Sequence, residues 1–209
     1  LLWSQIAFAA VGSITELSNA PPSITRKGSN VAGAKGTGVE MSDVVKTTAG
    51  KAGITFADDT RVQVNENSKL VIDDFVYDAK SSKGGKLAVN VALGTVRYAS
   101  GQIAKNNPQA VAINTPSATV AVRGTDFTAT VDELGASTII LLPSCPPGWK
   151  DIERDCKTGM IDVMNDATDL YAKAMRFKEL TDTFALFMGV LPVDSKFEPL
   201  LGLTSGKKH

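Results

Sequence analysis

The side chains best equipped for chemistry or charged recognition fall in three places. They are Arg123 within Val122-Arg123-Gly124-Thr125-Asp126-Phe127, the acidic doublets Asp58-Asp59 and Asp73-Asp74, and the cysteines Cys145 and Cys156. A guanidinium at Arg123 could grip a carboxylate or phosphate of a partner, because its planar fork matches two acceptor oxygens at once. The plainer use is an ion pair with an internal carboxylate such as Asp43 or Asp58 that pins two strands together. Gly124 reads as backbone geometry, since neither a P-loop nor a GxGxxG pattern surrounds it. The acidic doublets could hold calcium as loop carboxylates, but the ordered spacing of an EF-hand is missing, so solvated turns are expected.

Nucleophilic catalysis finds no support. The one histidine is His209, the last residue, so a nucleophile–His–acid set cannot be assembled. Nothing sets one pair of acids apart for hydrolysis. The reading is therefore not an enzyme, with no catalytic residue, no cofactor and no metal. Cys145 and Cys156 flank Pro146-Pro147-Gly148-Trp149-Lys150 and five further residues. A disulfide there would close a short, proline-stiffened loop and stabilise by roughly 2–3 kcal/mol in the loop-entropy picture. Free thiols are the alternative, and a structural zinc site would need about four Cys or His ligands. An oxidised pair would fit a periplasmic, surface or extracellular location.

The elements that must position these residues belong to an ordinary globular chain. Its 209 residues are 43% hydrophobic, and Lys+Arg and Asp+Glu each number 22. With formal net charge zero, no long-range field draws the protein to nucleic acid or an anionic membrane. Eighteen Gly and nine Pro suit a chain of short strands and turns. At the start, Ala7-Phe8-Ala9 has the small-x-small form of a signal-peptidase site, so residues 1–10 read as a leader remnant or an apolar arm, too short to span a membrane.

From Val11 to Leu142 the pattern is strand, turn, strand. Strands are expected at Gly12–Leu17, Gly53–Phe56, Arg61–Val64, Lys69–Ile72, Phe75–Tyr77 and Lys86–Val91. Others follow from Gly94, at Ala110–Ile113, Thr119–Val122, Phe127–Val131 and Thr138–Leu142. Arg26 to Gly38 reads as an exposed loop, Ser42-Asp43 as a turn, and Gly53 to Val64 as a hairpin. Met160–Met164 reads as one last strand. From Asp166 to Gly189, apolar residues recur at spacings of mostly three or four, which predicts a helix; a strand through Leu170 to Phe177 is the alternative.

Several of these elements, taken in order, resemble the FecR domain. The correspondence runs through Gly38, Met41, Asp43 and Val45-Lys46-Thr47, then Ile54-Thr55-Phe56-Ala57-Asp58-Asp59-Thr60, where Asp59 stands in place of a usual glycine. It continues through Asn65-Glu66-Asn67-Ser68-Lys69-Leu70, Leu87 to Gly94, Thr115-Pro116, and Val122 to Phe127. The resemblance implies a non-catalytic all-β module over about Val11 to Leu142, with Asp43, Asp58, Arg123, Gly124, Thr125 and Phe127 as its structural motif. FecR regulators carry a signal to a cytoplasmic sigma factor and use an anti-sigma segment and a transmembrane helix, neither of which is seen in this sequence. What the resemblance brings is the fold.

The expected fold is mainly β, a sandwich, roll or short solenoid-like FecR-type domain with a C-terminal helical extension. The expected division is 1–10 as arm or leader remnant, 11–142 as β-domain, 143–165 as disulfide-loop segment and last strand, and 166–209 as extension. The expected role is a structural or interaction subunit of a phage virion or bacterial surface assembly. Its partners would be protein subunits, met through Leu1, Leu2, Trp3, Phe184, Phe187, Met188 and Leu191, since apolar residues this crowded cannot all be hidden by one helix face. The alternative is a periplasmic or secreted ligand-binding module of the envelope.

Overall fold

The computed structural model of the chain describes residues 10–79, 84–143, 146, 148, 150–157, 159–165, 170–174 and 186–190. The strands are β1 (Gly12–Ser18), β2 (Ser23–Arg26), β3 (Ser29–Ala32), β4 (Gly38–Val39), β5 (Val44–Lys46), β6 (Lys51–Phe56), β7 (Arg61–Val64) and β8 (Lys69–Tyr77). They continue as β9 (Gly85–Ala99), β10 (Val111–Asn114), β11 (Thr119–Arg123), β12 (Asp126–Val131), β13 (Ser137–Leu142), β14 (Met160–Asn165), β15 (Leu170–Ala174) and β16 (Leu186–Val190). Two short helices, α1 (Gln102–Asn106) and α2 (Ile152–Asp155), sit between strands.

These strands form one curled sheet with two arms that share β9. The first arm runs β4-β1-β6-β7-β9-β12-β13-β16, and the second β3-β2-β5-β8-β9-β10-β11-β14-β15. All pairings are antiparallel except β9 with β10. Alternation along each strand sends one set of side chains inward. Ile14, Ile54, Val62, Tyr98 and Phe127 from the first arm meet Leu70, Ile72, Val89, Ile113 and Val120 from the second in a single core. The aromatic share is low, but Tyr98 and Phe127 still pack ring to ring at 5.3 Å.

The sequence expectation of two strands around Lys86 to Tyr98 is corrected to one. β9 is continuous, pairing with β8 and β10 up to Leu93 and with β7 and β12 from Gly94. Gly94 has φ +78, where an L side chain is strained. A Cβ there would lie 2.3 Å from Ser68 Oγ and 2.7 Å from the Asn67 carbonyl oxygen. Ser68 fixes the bend: its hydroxyl accepts from the Thr95 amide at 2.9 Å and donates to the Glu66 carbonyl at 3.0 Å. Thr47 Oγ1 in turn accepts from the Ser68 amide at 3.0 Å and donates to the Asn65 carbonyl. The Asn-x-Ser-x-Leu element is thus the clamp on the strand that joins both arms.

Two more expectations change. The stretch from Arg26 to Gly38 is a loop only over 33–37; before it, β2 and β3 form a hairpin joined through Lys27 (φ 49) and Gly28 (φ 80), a two-residue turn that suits tight hairpins. The predicted helix from Asp166 to Gly189 is overturned wherever its backbone is described. Leu170–Ala174 is β15, paired with β14, and Leu186–Val190 is β16, paired with β13. The open edges of β14 and β13 supply ladder partners that a three-to-four apolar spacing cannot reveal. Of the alternative strand through Leu170 to Phe177, the part over Leu170–Ala174 is seen, and the rest lies outside the described residues.

Gly94→Ala combines a positive φ with a close approach to backbone. We expect it to destabilise by about 2–4 kcal/mol, read as a drop in the urea midpoint, whereas Gly28→Ala, which meets no atom within 4 Å, costs about 1 kcal/mol.

Candidate functional site

The motif residues are brought into ordered contacts, but not those the sequence suggested. Arg123, at the end of β11, pairs with Asp162 of β14 at 2.7 Å rather than with Asp43 or Asp58. It does pin two strands, and its partner lies beyond the segment that drew attention. Asp43 is fully buried and belongs to Arg26. Arg26 Nε donates to Asp43 Oδ1 at 2.9 Å and an Arg26 terminal nitrogen donates to Oδ2 at 2.7 Å. The same nitrogen also donates to the Gly38 carbonyl at 2.8 Å, and the other terminal nitrogen donates to Glu40 at 2.7 Å. The hydrogen bond to Asp43 raises the Arg26 pKa above its ordinary value, against the opposing effect of burial.

Asp58 is not in a solvated turn, as expected, but fully buried. Its carboxylate accepts from the Thr60 amide and hydroxyl at 3.1 and 2.8 Å, and from the Ile103 amide at 3.1 Å. Ile103 lies in the first turn of α1, whose N-cap, Gly101, has no side chain to offer. Asp58 therefore caps a helix more than forty residues away in sequence. Asp59 holds φ 65, the left-handed conformation that its place in the motif requires. Asp73 and Asp74 lie on strand β8, not in a turn, and Asp74 pairs with Lys86 at 2.8 Å. Among the described residues no group of three or more His, Cys, Asp or Glu could hold a metal.

Gly124 has φ 64 and open space around its Cβ position, so its role is backbone geometry, as read from the sequence. Thr125 bonds Ser100 in both directions, its amide donating to Ser100 Oγ at 2.9 Å and its carbonyl accepting at 2.8 Å. Phe127 is fully buried against Tyr98. Burial pushes the Tyr98 hydroxyl up to about 12, offset in part by Thr60 and Ser100, yet no neighbour meets it with good hydrogen-bond geometry. Cys156 is not a free thiol, while Cys145 lies outside the described residues. Leu1, Leu2, Trp3, Phe184 and Leu191 also lie outside them; Phe187 and Met188 stand on β16 opposite Ile140 and Ile139.

A feature that the sequence reading missed lies on the outer face of the first arm. Register aligns the outward residues into rows. One row runs Ser13, Thr55, Arg61, Ala99, Asp126; the next runs Glu16, Gly53, Gln63, Arg97, Thr128. Gly53, over which the Glu16 side chain lies, and Ala99 are small where their neighbours are long, and they line a hollow of about 630 Å³. Lys35, carried by the loop after β3, closes one side. Arg97 is held by a bidentate pair to Asp126, with Nε to Oδ1 at 3.1 Å, and that bond raises its pKa. Glu16, Lys35 and Arg61 form no ion pair among the described residues and are exposed. Alternating outward polar residues in β6, β7 and β9 were visible in sequence, but only register shows that they share a row.

Residues 43–142 match the family model described as FecR protein. Over that stretch the chain is similar to the FecR domain. The match starts in the turn before β5 and ends with β13, so the FecR segment contributes β5 to β13, while β1 to β4 and β14 to β16 extend both arms outside it. Two crystal structures of a candidate anti-sigma factor from Parabacteroides distasonis ATCC 8503 align with 14% identity and a TM-score of 0.35. The alignment covers 64% of this chain and 59% of that one, so the chain spans well under two thirds of the length of that neighbour. No curated protein matches.

Two outcomes test these contacts. Asp43→Ala leaves Arg26 without its buried partner and should cost about 3 kcal/mol, against less than about 1 kcal/mol for Glu40→Gln at the rim of the same cluster, both read by urea denaturation. Tyr98 is neutral in the fold, so its stabilising share is full below pH 10 and lost as pH rises through about 12. Unfolding free energy should therefore fall by about 3 kcal/mol across that window, and Tyr98→Phe should remove this part of the alkaline loss while leaving neutral-pH stability equal or higher.

Proposed function

We propose that this chain is a non-catalytic interaction module of the bacterial envelope, and that the outer face of the first arm is its working surface. The observation that carries the reading is the hollow over Gly53 and Ala99, ringed by Glu16, Lys35 and Arg61, on a sheet held rigid by its ladders. Charged groups that form no ion pair among the described residues remain available for an incoming group. The FecR match supports a role in recognition rather than catalysis, and the envelope as its place. A virion subunit, the other role considered from the sequence, draws no support from that match. Among the described residues no helix is long and apolar enough to cross a membrane. A Cys145–Cys156 disulfide would suit this location, and iodoacetamide should then label these cysteines only after reduction.

A photo-crosslinking residue at Gln63, inside the hollow, tests the surface against one at Asn90 on the outer face of the second arm. In the native cell, Gln63 should yield a discrete adduct and Asn90 none. Equal labelling from both positions, or none from either, would sink the assignment of this face.

A further inference from the structure

We infer that the hollow binds a short zwitterionic peptide, with the ammonium group at Glu16 and the carboxylate at Arg61. This deepens the interaction-module reading and rests on it. The first argument is charge. Arg97 is already neutralised by Asp126, which leaves one anion and two cations facing the same space. A ligand with both signs can satisfy all of them, whereas a purely anionic ligand leaves Glu16 opposed.

The second argument is length. Glu16 is in the row of Gly53 and Gln63, two strands from β7, and Arg61 is two residues along from Gln63. At about 4.8 Å between strands and about 3.4 Å per residue, the two Cα atoms lie roughly 12 Å apart. A tripeptide, at roughly 3.4 Å per residue, spans about 10 Å. The volume of about 630 Å³ also falls within the ordinary range for small-ligand sites, about 300–1,000 Å³.

The third argument is the lining. The Thr15 and Thr55 hydroxyls, 2.9 Å apart, and the Gln63 amide offer donors and acceptors to peptide groups. No aromatic ring lines the hollow, so a sugar or base would find no stacking platform. β6, β7, β9 and β12, which floor the hollow, are each paired on both sides, so over them the peptide would be read by side chains and not added as a strand; β1 is covered by β4 only at Gly12 and Ser13.

The test is calorimetric titration of the full chain with trialanine. Binding should weaken at least about tenfold in Glu16→Gln and in Arg61→Gln, both exposed positions whose substitution leaves the core intact. N-acetyl-trialanine should bind more weakly to wild type but no more weakly still to Glu16→Gln; trialanine amide should show the same pattern with Arg61→Gln. In wild-type protein, trialanine should shift the amide resonances of Gly53 and Ala99. No binding at about 10 mM trialanine, shifts elsewhere, or tighter binding of digalacturonate, which has carboxylates and no ammonium, would overturn the inference. If Gln63 still crosslinks a partner in those cases, only the ligand chemistry falls; if Gln63 is silent as well, the surface assignment falls with it.

Discussion

Both arms of the sheet depend on the course of β9, because this one strand is the partner of β8 and β10 at its start and of β7 and β12 at its end. A strand cannot change sheets without a local departure from regular backbone, and a left-handed residue is the cheapest one. Gly94 supplies it, and the space for a side chain there is already taken by Ser68 and Asn67. Thr47, Ser68 and Thr95 then tie the turns on either side of the bend into a hydrogen-bonded knot. The inward alternation of Val89 and Val91 before Gly94 and of Val96 and Tyr98 after it shows that the core face is kept across the bend.

Buried carboxylates do the remaining fastening. Asp43, Asp58, Asp126 and Asp162 are each largely buried, and each has a distinct set of donors. Three face an arginine: Arg26, Arg97 and Arg123. Asp58 has no cation and relies on three N–H and O–H donors, two from its own turn and one from α1. A buried charge with full hydrogen bonding is tolerated, and removing one partner leaves the other exposed to the low dielectric around it. Such contacts choose register and turn placement more than they add net stability.

Much of the β-domain could be read from the amino-acid sequence because period-two alternation and turn residues are local signals. The hairpin at Gly53 to Val64 and the backbone role of Gly124 are examples. What escaped was long-range. Arg123 could be seen to need an acid, but Asp162 lies across a strand pairing that no local spacing encodes. The apolar run from Leu170 onward fits a helical stripe as well as a strand, and the choice is made by the open edge of β14. The row of Glu16, Gly53, Gln63 and Arg97 draws on four strands, so it exists only after register is set.

That dependence on register also explains why the hollow is a plausible surface for evolution to tune without disturbing the fold. Its floor comes from Gly53, which has no side chain, and from the methyl group of Ala99, while the same strands send Ile54, Val62 and Tyr98 into the core. Changing an outward residue alters charge or shape at the surface and leaves the inward face untouched, because successive side chains point to opposite sides. The bulge at Thr15 adds a second degree of freedom, since it shifts β1 by one residue between Ile14 and Glu16 and brings Glu16 into line with Gly53. The loop that carries Lys35 is tied to the same place, with Gly36 donating to the Ile14 carbonyl at 2.7 Å and Ile14 donating to the Thr37 carbonyl at 2.9 Å. The anion of the hollow is thus placed by one irregularity in β1, Lys35 by a loop bonded to Ile14 beside it, and Arg61 by the regular ladder of β7.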